Sequence, residues 1–248
     1  TLSDGTATTT ANLTITILGA NDAPVARDDT GTVNEDATLT VSNGDNPNVV
    51  AGASFVDSFS VSSQENVPAG LAFNTDGTKM FVLGRVGQDV NEYTLSTGFD
   101  VSTASFVDSF SVSSQETGPT GLAFNTDGTK MFVTGVTGDD VNEYTLTTGF
   151  DVSTASFVDS FSVSGQETGP TGLAFNTDGT KMFVLGSSGD DVNEYTLTTG
   201  FDVSTASFVD SFSVSSQEVN PYGLAFNTDG TKMFVTGSAG DDVNEYTL

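Results

Sequence analysis

The chain has 248 residues, with 33 Asp plus Glu against 6 Lys plus Arg, a formal charge of −27, and neither His nor Cys. Lacking those two residue types, it holds no disulfide framework, imidazole or thiolate metal site, Cys nucleophile or Ser-His-Asp arrangement. The charge repels phosphate backbones and anionic lipid, so nucleic acid is no expected partner, and no run approaches the roughly 20 apolar residues of a membrane helix.

Taken in chain order, Thr1 to Thr10 (TLSDGTATTT) shows no basic and apolar leader pattern and reads like the middle of a β domain, the expectation being an excerpt of a longer chain. In Thr8 to Leu18, Leu13, Ile15 and Ile17 alternate with Thr14, Thr16 and Leu18, which predicts a half-buried strand. The run DGTATTTANLTITILGANDAPVARDD, followed by VNEDATLTV at Val33 to Val41, resembles the end of a VCBS or bacterial cadherin-like domain, its linker and the first strand of the next domain. Such domains occur in tandem in large secreted adhesins. The resemblance implies a partial cadherin-like β-sandwich segment over residues 1–41, a secreted or cell-surface bacterial setting, and Ca²⁺ held at the junction by Asn21, Asp22, Asp28 and Asp29. Pro24 keeps that linker extended, and an ion on those oxygens would stiffen it; a solvated acidic linker is the plainer alternative. Residues 42–52 (SNGDNPNVVAG) read as a turn-rich connector.

From residue 53 onward the dominant signal is a repeat. LAFNTDGTKMFV recurs at Leu71, Leu122, Leu173 and Leu224, at a constant spacing of 51 residues. Each unit predicts four strands: a over Gly70 to Asn74, b over Lys79 to Leu83, c over Asp89 to Leu95 and d over Ser105 to Val112. Between a and b, Asp76-Gly77 signals a hairpin turn in which Gly takes positive φ, so Asp76, Asp127, Asp178 and Asp229 read as turn formers. Lys79 and its copies sit beside those turns and are expected to offset local negative charge. In strand d, strict alternation would put Phe106, Asp108, Phe110 and Val112 on one side and Val107, Ser109 and Ser111 on the other.

Four short strands per unit, repeated, is the arithmetic of a β-propeller blade. The phrase PxGLAFNTDGTKMFVTG followed by GDDVNEYTL is similar to blades of bacterial NHL and YVTN propellers, over residues 53–248. The expected fold is all-β: four visible blades, part of a larger ring or closed within the chain by the d-type segment Ala53 to Ser62 pairing with Val243 to Leu248.

Nine columns differ between the copies, beginning at Ser63, Asn66, Val67, Ala69, Leu83, Arg85, Val86, Gln88 and Ser96. All but the last fall in or beside the d-to-a and b-to-c loops, which share one face of a propeller, so that face is the candidate recognition surface, against simple tolerance of loops to change. Asn66 and Asn220 lie in its d-to-a loops; Arg85 is the sole cation in a b-to-c loop and Tyr222 the sole aromatic in a d-to-a loop. In a closed ring the first and fourth copies are neighbours, which would let Arg85 and Tyr222 contact one sugar or acidic peptide. The same face carries Glu65, Glu116, Glu167 and Glu218 with the Asp pairs 139/140, 190/191 and 241/242, a weak calcium signal without the spacing of a dedicated loop. Fourfold repetition argues against an asymmetric active site, so the expected role is non-catalytic: display or binding of a glycan or cell-surface protein. The rivals are a propeller-scaffold polysaccharide lyase or hydrolase and a structural spacer adapted to a saline habitat.

Overall fold

The computed structural model describes residues 54–248 and two short paired strands, β1 (Leu2–Ser3) and β2 (Thr8–Thr9). The rest of the cadherin-like segment, the connector and Asn21, Asp22, Asp28 and Asp29 lie outside the described residues. Two units form, Thr1–Val56 and Asp57–Leu248, and the second contains the repeat.

That unit consists of four antiparallel meanders, the blades of a β-propeller. The first is β3 (Pro68–Phe73), β4 (Lys79–Gly84), β5 (Asp89–Leu95) and β6 (Ala104–Ser111). The second is β7 (Pro119–Phe124), β8 (Lys130–Gly135), β9 (Asp140–Leu146) and β10 (Ala155–Ser162). The third is β11 (Pro170–Phe175), β12 (Lys181–Gly186), β13 (Asp191–Leu197) and β14 (Ala206–Ser213). The fourth sheet has three strands, β15 (Pro221–Phe226), β16 (Lys232–Gly237) and β17 (Val243–Thr247). The inner strands β3, β7, β11 and β15 stand side by side in that order.

The a-to-b hairpins follow from turn chemistry. Asp127 Oδ1 accepts from the Thr129 hydroxyl at 2.6 Å and the Thr129 N–H at 3.0 Å, bonds that hold its carboxyl below the usual range, and Gly128 sits at φ +71°. A Cβ on Gly128 would overlap the Phe150 ring, whereas one on Gly230 would meet nothing. Gly230→Ala is therefore expected to cost only the left-handed penalty of about 1 kcal/mol, and Gly128→Ala about 2 kcal/mol or more, measured as the shift in urea midpoint.

Strand d departs from the expected alternation. Pairing runs from Tyr93↔Phe106 directly to Glu92↔Asp108, leaving Val107 as a bulge residue. One extra residue breaks the period of two, so Phe106 lies on the Tyr93 side of the sheet and Phe110 on the Val90 side.

Each sheet thus has a leading face toward the next blade and a trailing face toward the preceding one. Phe81, Leu83, Val90 and Val112 on the first leading face pack against Leu122, Met131, Val133, Tyr144 and Leu146 on the second trailing face. The next pair of blades repeats this with Phe132, Val141 and Val163 against Leu173, Met182, Val184, Tyr195 and Leu197. Aromatic rings seal each junction: Phe81 lies 4.5 Å from Phe124 and 6.1 Å from Phe150, centroid to centroid, and Phe132 meets Phe175 and Phe201 in the same way.

Lysines beside the turns also bind across these junctions. Lys130 Nζ pairs with Glu143 Oε1 at 2.7 Å on its own sheet and donates to the Phe201 carbonyl of the next blade at 2.6 Å, while Glu143 Oε2 accepts the Val203 N–H at 3.0 Å. Lys79 and Glu92 grip Phe150 O and Val152 N identically. The expected local charge offset is thus joined by an interblade clasp.

Among the described residues the array is an open arc, and no core cluster joins the first and fourth blades. Residues 57–61 do not pair with β17. Instead Phe59 and Val61 cover part of the first trailing face, with Phe59 edge-on to Tyr93 at 5.5 Å, as Phe110 is to Tyr144. Identical sequence seeks identical partners, so this segment sits where the strand d of a preceding blade would sit.

Candidate functional site

The d-to-a and b-to-c loops of each blade meet on one rim, and the glutamates expected as a carboxylate ring are what join them. Glu116 is fully buried; its Oε1 accepts from Gly118 N at 2.5 Å and Thr137 N at 3.2 Å, and its Oε2 from Gly138 N at 3.0 Å. Glu167 binds Gly169, Ser188 and Gly189, and Glu218 binds Asn220, Ala239 and Gly240, by the same three donors. Glu65 accepts from Val67 and Gly87. The N–H of Gly240, foremost, holds the Glu218 carboxyl below its ordinary value. Gly84, Gly135, Gly186 and Gly237 lie under these carboxylates, where a Cβ would fall on the Glu side chain. The four glutamates are internal loop anchors aimed at backbone donors, not outward ligands.

Behind each anchor stands an aspartate. Burial first, then repulsion from Glu116 and Asp139, pushes the Asp140 carboxyl upward against the opposing hydrogen bond from Asn142 Nδ2 at 2.6 Å. A raised folded-state value means that the ionised form weakens the fold at neutral pH and that this cost disappears as pH falls through the folded value. Asp140→Asn keeps an acceptor for Asn142 and is expected to stabilise the protein at pH 7 by about 1 kcal/mol or less. The gain should vanish in acid, as read from melting temperatures across a pH series. Asp139 and Asp190, at φ +49° and +50°, each leave one buried carboxylate oxygen without a partner. Among the described residues no three His, Cys, Asp or Glu side chains converge on a metal position.

The residues of the varied columns divide in two. Asn66, Arg85, Asn220 and Tyr222 are exposed, Tyr222 by 53%. The Arg85 N–H donates to Val67 O, placing Arg85 beside the loop of Asn66, and the Ser238 N–H donates to Asn220 O, so Asn220 belongs to a second loop cluster, while Tyr222, expected in that loop, stands just beyond it in β15. The two clusters occupy the first and fourth blades at opposite ends of the arc, and Arg85 and Tyr222 do not meet. Their expected adjacency required a closed ring of four. Other members of the varied columns are structural: Leu83, Thr134 and Leu185 are buried between blades, and Thr120 and Thr171, the copies of Tyr222 in the middle blades, donate to Pro170 O and Pro221 O of the following inner strands at 2.7 and 2.8 Å. Their place next to loops concealed this in the sequence, because burial there comes from another blade.

No protein-family model matches the chain, and no curated protein matches it. Solved structures do. A provisionally assigned 6-phosphogluconolactonase from Bacteroides fragilis is similar at 15% identity and TM-score 0.52, over 71% of this chain and 49% of that one. A functionally unknown protein from Desulfotomaculum acetoxidans aligns at 18% and 0.53, over 73% and 55%, and the hydrazine synthase of Kuenenia stuttgartiensis at 16% and 0.52, over 78% and 49%. The chain spans about half the length of these structures. At such identities the likeness carries the fold and nothing of the chemistry.

Proposed function

We propose that this is a non-catalytic, extracellular display module whose varied loop rim binds a glycan or a cell-surface protein. One observation carries the reading: the loop glutamates common to all four copies point inward to backbone N–H groups, while Asn66, Arg85, Asn220 and Tyr222, which differ between copies, face solvent. A scaffold whose loop glutamates hold the loops from within presents variable tips on a rigid frame, the arrangement suited to recognition. The calcium-stiffened linker belongs to the proposal on the sequence resemblance alone.

Glycan and surface-protein arrays probed with the full chain test it. Arg85→Ala with Asn66→Ala, or Tyr222→Ala with Asn220→Ala, should weaken binding at least ~10-fold at an unchanged melting temperature, since the substituted side chains are exposed. Binding indifferent to both pairs, or lactone or polysaccharide turnover abolished by Glu116→Gln, would overturn it. Melts in EDTA, CaCl₂ and matched NaCl test the linker: a shift specific to calcium is expected, and equal responses to both salts would leave only general screening.

A further inference from the structure

We propose that Asp108, Asp159 and Asp210 are guards on the outer wall of the array, where they keep strands β6, β10 and β14 from pairing edge to edge with other copies of this chain. No residue of the loop rim takes part, so the inference does not rest on the functional reading above.

Each of these strands closes the sheet of a complete blade, and among the described residues each has a single strand partner. The free side of such a strand is a template on which another chain can pair. The side chains beside it add to the attraction: Val107, Val158 and Val209 are each 51% exposed, and Phe106, Phe157 and Phe208 between 41 and 43%. All three strands read ASFVDSFS, so any one of them fits any other. Three equivalent edges on one chain would build an open-ended assembly, not a closed pair.

The aspartate is the one charge in that segment, which otherwise holds only Ala, Ser, Phe and Val, the composition of a strand prone to pair with its own kind. It follows the bulge residue Val107 directly. The Val112 N–H donates inward to Gln88 O at 2.8 Å, and the pairing runs without a shift from Ser111 to Ser109. With a period of two, the Ser109 N–H therefore points off the open edge. Asp108 Oδ1 accepts it at 2.8 Å, and Asp159 and Asp210 hold the Ser160 and Ser211 N–H groups at the same distance.

The carboxylate thus acts twice. Its bonded oxygen occupies a donor that an incoming strand would need, and its charge stands on the edge with no Lys or Arg paired to it among the described residues. Two outer strands laid antiparallel would bring these acids together and draw them out of water, and like charges placed opposite one another oppose pairing. The blade itself makes no other use of them: all three are exposed, and the bond to the next residue is their only side-chain hydrogen bond among the described residues. Asp100, by contrast, caps the helical turn Val101–Thr103.

The triple variant Asp108→Thr, Asp159→Thr, Asp210→Thr tests it on the full chain at neutral pH. Light scattering should give an average mass about tenfold or more above that of the parent at equal concentration. Hydrogen exchange should show the Ser109, Ser160 and Ser211 amides gaining protection while Phe132 in β8 keeps its own. A second triple variant, Asp100→Asn, Asp151→Asn, Asp202→Asn, removes the same charge and retains the acceptors for the Ser102, Ser153 and Ser204 N–H groups, so it should keep the parent's mass. A threonine variant with the parent's mass at all concentrations, or equal assembly of the asparagine variant, would overturn the proposal. So would assembly with Phe132 exchanging freely, since that is the behaviour of unfolded chains.

Discussion

Lys130→Met is expected to lower the free energy of unfolding by about 2–4 kcal/mol, whereas Lys232→Met should change it by less than about 1 kcal/mol. The two lysines occupy the same place in the repeat and differ only in surroundings. Lys130 pairs with a Glu143 side chain that is 3% exposed, and it also bonds Phe201 O of the next blade. Removing it strands a carboxylate in a site that water scarcely reaches and opens one strut of the interblade clasp. The lysine side chain is itself 29% exposed, which screens part of the pair and sets the lower end of the range. The Lys232 and Glu245 side chains are 44% and 51% exposed, so water replaces the lost partner. Lys79 should behave as Lys130 does, and Lys181, paired with a Glu194 side chain that is 30% exposed, should fall between. Urea titrations of the four variants check the order. Equal losses at all four sites would show that the pair acts within a blade and not between blades.

Glu167→Ala should cost about 2–4 kcal/mol, for a different reason. Its carboxylate collects three N–H groups, two of them from the b-to-c loop and one from its own. Alanine leaves all three donors short of a partner and a void over Gly186, where the side chain now lies. Glu167→Gln keeps one acceptor oxygen but turns an NH₂ toward N–H groups, so it should recover only part of the loss. Hydrogen exchange at Ser188 and Gly189 gives the local readout: protection should fall there well before it falls in β12. Unchanged exchange at those amides would mean that the loops are held by their own backbone bonds, such as Ser187 N to Gly169 O.

Much of the blade was legible because its signals are local. Asp-Gly at a fixed place, a stop of alternation on either side and a constant spacing suffice for strands b and c, whose observed spans nearly coincide with those read from the sequence. Strand d shows the limit: a bulge at Val107 has no mark in a pattern of alternating residues, and it moved Phe106 to the opposite face from Phe110. The loop glutamates show another. Glu116 looks like any surface acid, and only the meeting of two loops, roughly twenty residues apart, supplies the donors that draw it in.

By itself, then, the sequence determined an all-β chain of repeated four-strand units, the turn that joins a to b, and the set of residues that vary along one rim. These depend on neighbours a few positions away, whose sterics and hydrogen bonds are the same in every copy. The tertiary structure alone decided that Phe59 and Val61 lie on the first blade and not beside β17, that Lys130 and Glu143 serve the junction between blades, and that Arg85 and Tyr222 stand apart. The physical reason is degeneracy: near-identical units offer near-identical faces, so the sequence specifies how one blade meets another without specifying which blade it meets or how many complete the ring.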